Sequence, residues 1–113
     1  MHEMSIALNI IDIAHEEALR ANAKKINEIE IEIGSISGVE ISALEFSLDI
    51  AVKNTFLENA QRKIIPVQAK AECLDCNSIF LLSTFYEPCP NCQSLTINIL
   101  QGKELRIKSI NVD

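Results

Sequence analysis

Four cysteines constrain this chain more than any other feature. They fall as Cys73-x-x-Cys76 and Cys89-x-x-Cys92, with twelve residues between the pairs, and no cysteine lies elsewhere. Each C-x-x-C sets two thiolates at the tip of a tight turn, aimed at one point. Two such tips facing each other make a tetrahedron of sulfur, which a structural zinc ion accepts at about 2.3 Å per Zn–S bond. All four ligands lie between positions 73 and 92, with none left over for a four-coordinate ion.

Other uses of these thiols fit less well. A thioredoxin-like redox pair needs one C-x-x-C opening a helix, whereas two stand here among turn formers. Disulfides require an exported chain. MHEMSIALNI has neither a basic n-region nor a small-residue cleavage site, so no signal peptide is expected. Iron held in rubredoxin fashion is the nearest competitor, because Cys89-Pro90-Asn91-Cys92 suits it. Against iron stand the lack of a glycine after either pair and the lack of any Trp.

A length of 113 residues predicts one small domain with room for an appendage. Hydrophobic residues make up 48%, enough for a modest core, and aromatics only 4%, so Ile, Leu, Val and Ala must fill it. No apolar run approaches the length of a membrane span, and a soluble protein is expected. Ten basic residues against 16 acidic leave a net charge of −6. That opposes a nucleic-acid partner, whose phosphates demand a positive surface. Free thiols without an export signal point to the cytoplasm.

Along the chain, element types alternate. Ile6, Ile10, Ile13, Ala14 and Ala18 recur at helical spacing and predict a helix from Ser5 to Ala23. Ile29, Ile31 and Ile33 alternate with Glu30 and Glu32, the period of a strand, which Gly34 stops. After the GSISG loop comes a second helix to about Leu57, with Ser42 as cap, Glu45 at the capping-box position and Ile41 stapled to Phe46. A strand from Ile64 to about Ala71 follows, with Pro66 suggesting an edge or a start. The cysteine segment comes next without a linker. Strands from Leu95 to Leu100 and from Glu104 to Val112 close the chain, the last with a phase shift that one bulge near Ser109 explains. No internal repeat is apparent. The segment 73–92 holds too few apolar residues for a core of its own, so metal must give it shape. Its charges are Asp75 and Glu87 alone, unlike a nucleic-acid ribbon.

The start of the chain is the second feature of interest. The bulky His2 should leave Met1 in place. The amine of Met1, the backbone nitrogen and imidazole of His2, and the backbone nitrogen or carboxylate of Glu3 can then chelate one ion. Nitrogen-rich donors in a plane favour Ni(II) or Cu(II) over zinc. Taken alone, one histidine at position 2 is a weak signal, since any chain must start with something.

The whole chain, however, resembles a known family. MHEMSIA, EIEIGSISGVEISALEF, the two C-x-x-C pairs with CPNC second, and GKELRIKSINV stand in the order and at the spacing of the HypA/HybF family. These are nickel metallochaperones of [NiFe]-hydrogenase maturation. The resemblance implies an α/β (α+β) fold, with two helices on a small, mainly three-stranded sheet and an inserted zinc-ribbon-like four-cysteine domain. Residues 1–70 with 97–113 would be the nickel-binding domain and 71–96 the zinc-binding domain. It implies zinc on Cys73, Cys76, Cys89 and Cys92, and nickel on His2 with the Met1 amine and the backbone of His2 and Glu3. It further implies delivery of Ni(II) to the hydrogenase large subunit with the GTPase HypB, in some organisms also to urease, and no catalysis. The partners implied include neither nucleic acid nor a membrane, and the chain would be a monomer or a homodimer.

Two departures stand out. Glu58-Asn59-Ala60-Gln61 lacks a glycine common there in the family, and the zinc segment has no histidine, so it offers no nickel ligand of that kind. Glu16-Glu17 and Glu30/Glu32 read as solvated faces. His15 reads as an exposed mid-helix residue. Glu40 reads as an acid that can approach the N-terminus or simply favour a helix start. Three isolated glycines make no phosphate loop, and no nucleophile–base pair is present. The alternative reading is a zinc-ribbon adaptor or regulator that contacts protein or nucleic acid.

Overall fold

In the computed structural model, residues 2–113 are described. They form α1 (Glu3–Arg20), β1 (Ile26–Gly34), α2 (Ile41–Ala51), β2 (Gln61–Val67), β3 (Lys70–Cys73), β4 (Ile79–Leu81), β5 (Ile97–Gln101) and β6 (Leu105–Val112). The strands make two three-stranded sheets, β2-β1-β6 and β4-β3-β5. The fold is therefore α/β with two helices, as expected, with a second sheet whose strand β3 ends on Cys73. The chain divides into two compact units. One runs through Glu32 and includes Val39–Ile65 and Arg106–Asp113; the other comprises Ile33–Gly38 and Pro66–Leu105.

In the first unit the helices bury one stripe each. Ala7, Ile10, Ile11, Ala14 and Ala18 of α1 and Leu44 and Leu48 of α2 are inaccessible or nearly so. Three small residues in that stripe let α1 approach closely. The helices run in the same direction. Glu3 touches Glu40 at one end, and the His15 ring lies 4.3 Å from that of Phe56 toward the other. The central strand β1 buries Ile29 and Ile31 on one face. Its opposite face carries Glu28, Glu30 and Glu32. They are half-buried rather than freely solvated, and each is tied to a neighbouring strand: Glu28 to Lys63 at 3.5 Å, Glu30 to the Ser109 hydroxyl at 2.6 Å, and Glu32 to Arg106 at 2.7 Å.

The helix ends depart from expectation for local reasons. The first helix stops at Arg20, before Ala23, because Asn22 turns left-handed at φ 58°. Ala23 N–H then bonds Ala18 C=O at 2.9 Å and Asn22 N–H bonds Leu19 C=O at 3.0 Å, a Schellman closure. In α2 the cap is Glu40, not Ser42, and no side chain caps the first turn. Ser42 lies inside the helix and donates to Glu40 Oε1 at 2.7 Å. The helix also ends at Ala51, short of Leu57.

The strand expected from Ile64 to Ala71 is two strands, in different sheets. Pro66 has no N–H to give a ladder, and at the break the Ala69 N–H is taken by Ser35 Oγ at 2.9 Å. β4 had no clear sequence pattern. In β6, Lys108 and Ser109 are exposed in succession between the half-buried pairs Leu105/Ile107 and Ile110/Val112, where the phase shift was expected.

The second unit has its own small core of Ile36, Ala69, Ala71 and Leu82, flanked by Phe80, Ile97 and Ile99. Ala71 stands opposite Phe80 of β4 and Ile99 of β5, with a register irregularity just before it. Gly34 and Gly102 permit a tight crossing. A Cβ on Gly34 would lie 1.9 Å from the Gly102 carbonyl oxygen, and Gly102 itself has φ +119°.

Candidate metal centre

Two chain reversals of the same design present the cysteines. In the first, Asn77 N–H bonds Cys73 C=O at 2.9 Å and Cys73 N–H bonds Ser78 C=O at 2.8 Å. In the second, Gln93 N–H bonds Cys89 C=O at 2.8 Å and Cys89 N–H bonds Ser94 C=O at 2.8 Å. Asn77 and Gln93 hold φ 64° and 65°, the left-handed turn a glycine would take most easily. The missing glycines, counted above against an iron-type knuckle, therefore carry no weight, since Asn and Gln adopt the same conformation. The match also corrects the view that the chain has no repeat. CLDCNS and CPNCQS are two copies of one six-residue pattern, C-x-x-C-(Asn/Gln)-Ser, legible in the sequence itself.

The reversals are pinned to the sheet and to each other. β3 ends on Cys73, and Leu74 N–H bonds Thr96 C=O at 3.0 Å. The Ser94 hydroxyl donates to Asp75, linking the two tips. All four sulfurs lie within 4.8 Å of one another, and none is in a disulfide. The Cys73–Cys92 and Cys76–Cys89 sulfurs are 3.5 Å and 3.6 Å apart. A tetrahedron with bonds of about 2.3 Å has edges of roughly 3.8 Å, so the array fits a four-coordinate ion with little adjustment. Cys73 and Cys89 are buried, Cys76 is half-buried and Cys92 is exposed. Such a donor set suits zinc and mononuclear iron.

Charge is shared unevenly among the thiols. The Ser78 hydroxyl, and then the Asn91 side-chain amide, hold the Cys76 thiol down to about 6. At Cys92 a backbone hydrogen bond from Ser94 favours the thiolate, but the neighbouring Cys73 sulfur and burial outweigh it and push the thiol up to about 12. Crowded sulfurs cannot all be anionic unaided. A divalent cation, when bound, would replace the protons and neutralise the set.

The residues proposed for nickel lie elsewhere in the chain. Met1 is outside the described residues. His2 is exposed, takes the N-cap position of α1 with extended backbone, and its carbonyl accepts from Ile6 N–H at 3.2 Å. Glu3 opens the helix, half-buried, and its Oε2 accepts the backbone N–H of Glu40 at 3.3 Å. Glu40 thus does approach the N-terminal segment, through its backbone. His15 is not brought to either place; it packs its ring on Phe56. Among the described residues, the four cysteines are the one group of three or more His, Cys, Asp or Glu side chains placed to hold a metal.

Comparison with known proteins bears on the whole chain. The family model for hydrogenase/urease nickel incorporation, metallochaperone, hypA matches residues 1–112. A hydrogenase maturation factor HypA of Parabacteroides distasonis is 46% identical over 110 residues, covering 97% of this chain and 96% of the relative. That of Psychromonas ingrahamii is 41% identical over 113 residues, covering 100% and 99%. The solution structure of the Ni metallochaperone HypA from Helicobacter pylori superposes with a TM-score of 0.73 at 27% identity, over 99% of this chain and 97% of that one.

Proposed function

The chain belongs to the HypA family of nickel metallochaperones for hydrogenase and urease maturation, a maturation factor and not an enzyme, and from that premise we propose how it handles its metals. It binds one Ni(II) at its N-terminus, through the Met1 amine, the backbone nitrogens of His2 and Glu3 and the His2 imidazole. It passes that ion, in the cytoplasm, to the large subunit of a [NiFe]-hydrogenase, working with a HypB-type GTPase. The four cysteines hold a structural zinc. No bond to substrate is made or broken. The protein's task is to offer nickel in a form a partner can take.

The observation that carries this reading is the match of the family model from residue 1, which includes the Met-His-Glu start as well as both cysteine pairs. Local structure is compatible with it. α1 begins at Glu3, and the first N–H groups of a helix have no intrahelical acceptor. The His2 and Glu3 amides can therefore lose their protons to a metal without unravelling the helix. A cation beside a helix N-terminus faces the positive end of the macrodipole. Two lost amide protons and the Glu3 carboxylate offset that field.

For the zinc, when bound, the chemistry supplied is structural: Cys73, Cys76, Cys89 and Cys92 would hold it and the second unit would gain rigidity. The alternative, an adaptor that uses its ribbon on nucleic acid, has no basic surface in 73–92 to support it.

The deciding experiment is a Ni(II) titration of the untagged protein against one carrying an extra residue before Met1. About one nickel per native chain is expected, with a planar absorption spectrum, no binding by the extended chain, and zinc retained in both. Equal binding by the two would sink the N-terminal chelate. Protonation competes with nickel at an α-amine of ordinary pKa about 7.7–8.0 and at the two amides. Affinity should therefore fall steeply as the pH is lowered through 7 and 6.

A further inference from the structure

The cap of α2 is incomplete within its own helix. In a capping box, an acid at the third helical position reaches back to the N-cap N–H. Here the N-cap is Glu40 and the third helical position is Ala43, which offers no oxygen; the first turn of α2 has no acid at all. The missing partner comes from the other helix. Glu3 Oε2 accepts the Glu40 N–H at 3.3 Å. The Glu40 carboxylate is directed forward, accepting from Ser42 Oγ at 2.7 Å. One carboxylate on the first residue of α1 thus serves the start of α2 and joins the two helix ends.

We propose that the Glu3 carboxylate is a positioning group that clasps the start of α1 to the start of α2, fixing the His2–Glu3 backbone that takes nickel, and does not itself bind the ion. The inference rests on the nickel site proposed above. Its physical content is pre-organisation. Residues at a helix start fray readily, and a chelate built from backbone nitrogens loses affinity if those nitrogens must first be ordered. The clasp orders them before the metal arrives. Both helix N-termini also favour a negative charge between them.

The test separates clasp from ligand, because glutamine keeps the acceptor oxygen and loses the charge. In the untagged full chain without nickel, Glu3→Ala should speed amide hydrogen exchange at Glu40, while Glu3→Gln should leave it near the native rate. On Ni(II) titration, Glu3→Gln should stay within about threefold of native affinity. Glu3→Ala should bind about fivefold or more weakly, in keeping with the usual worth of a cap. The planar spectrum should be unchanged in both. A Glu3→Gln variant as weak as Glu3→Ala, or a changed spectrum in it, would make the carboxylate a ligand and overturn the clasp. Exchange at Glu40 indifferent to Glu3→Ala would overturn it too, as would Glu3→Ala binding at native affinity. Failure of the nickel reading itself shows separately, as native binding that an added N-terminal residue does not disturb.

Discussion

Asn77 and Gln93 hold the same left-handed conformation at the same place in two cysteine turns, but they tolerate it differently. Asn visits that region several-fold more readily than other non-glycine residues, whereas Gln has no such aptitude. Gln93→Gly should therefore stabilise the metal-loaded protein by about 0.5–1 kcal/mol, and Asn77→Gly by less. Thermal unfolding of the loaded proteins checks the order; an equal gain from both would mean the side chains matter more than the backbone. Gly34 is the reverse case. A methyl there would meet the Gly102 carbonyl 1.9 Å away, a backbone atom that cannot rotate aside. Gly34→Ala should cost several kcal/mol, of the order seen for the larger point-mutant losses. Cys73→Ser or Cys92→Ser should release the metal, detected by elemental analysis. Full retention of one zinc would exclude these thiolates as ligands.

At the level of elements, β1 concentrates the stability of the first unit. Ile31 is fully buried at 0% exposure, and Ile31→Ala should cost about 2–5 kcal/mol in denaturant unfolding. The ion pair on the opposite face contributes far less. Arg106 is mostly exposed, and Glu32→Gln should change stability by no more than about 1 kcal/mol. The helices and β1 were legible because their apolar residues keep period, with Ile10, Ala14 and Ala18 on one stripe and Ile29, Ile31 and Ile33 on alternate positions. The break between β2 and β3 was only partly legible: Pro66 hinted at an edge, but nothing in Val67-Gln68-Ala69 announces that the chain changes sheet, where a distant hydroxyl, Ser35, takes the Ala69 N–H. The cap of α2 is hidden from local sequence for a like reason. Ser42 and Glu45 match a capping box locally, but the acid that serves this helix sits 37 residues earlier. Spacing brought out the cysteine cluster, and only three-dimensional structure brought out the Asp75–Ser94 link between its turns.

Across the molecule, the first cysteine turn and the sheet are continuous. Cys73 is the last residue of β3, and β3 pairs with both β4 and β5. Chelation should therefore raise amide exchange well beyond the turns, through Lys70–Cys73 and Ile97–Gln101, and should reach Val67, whose carbonyl accepts from Ser35 N–H at 2.9 Å. Exchange confined to 73–92 would show that the sheet stands without metal. The unit is small, and its core of four buried residues is too slight to carry the fold alone.

The connectivity has one more consequence. The described ends of the chain, His2 and Asp113, both belong to the first unit, and the Asn27 side chain donates to Asp113 at 2.6 Å. A pull on those ends would run through α1 and across the β1–β6 pairing, bypassing the long excursion from Pro66 to Leu105. The cysteine turns would carry no tension until β6 had been stripped from β1. Under mechanical load the cysteine unit is therefore spared until β6 has parted from β1, although it is built on a small core.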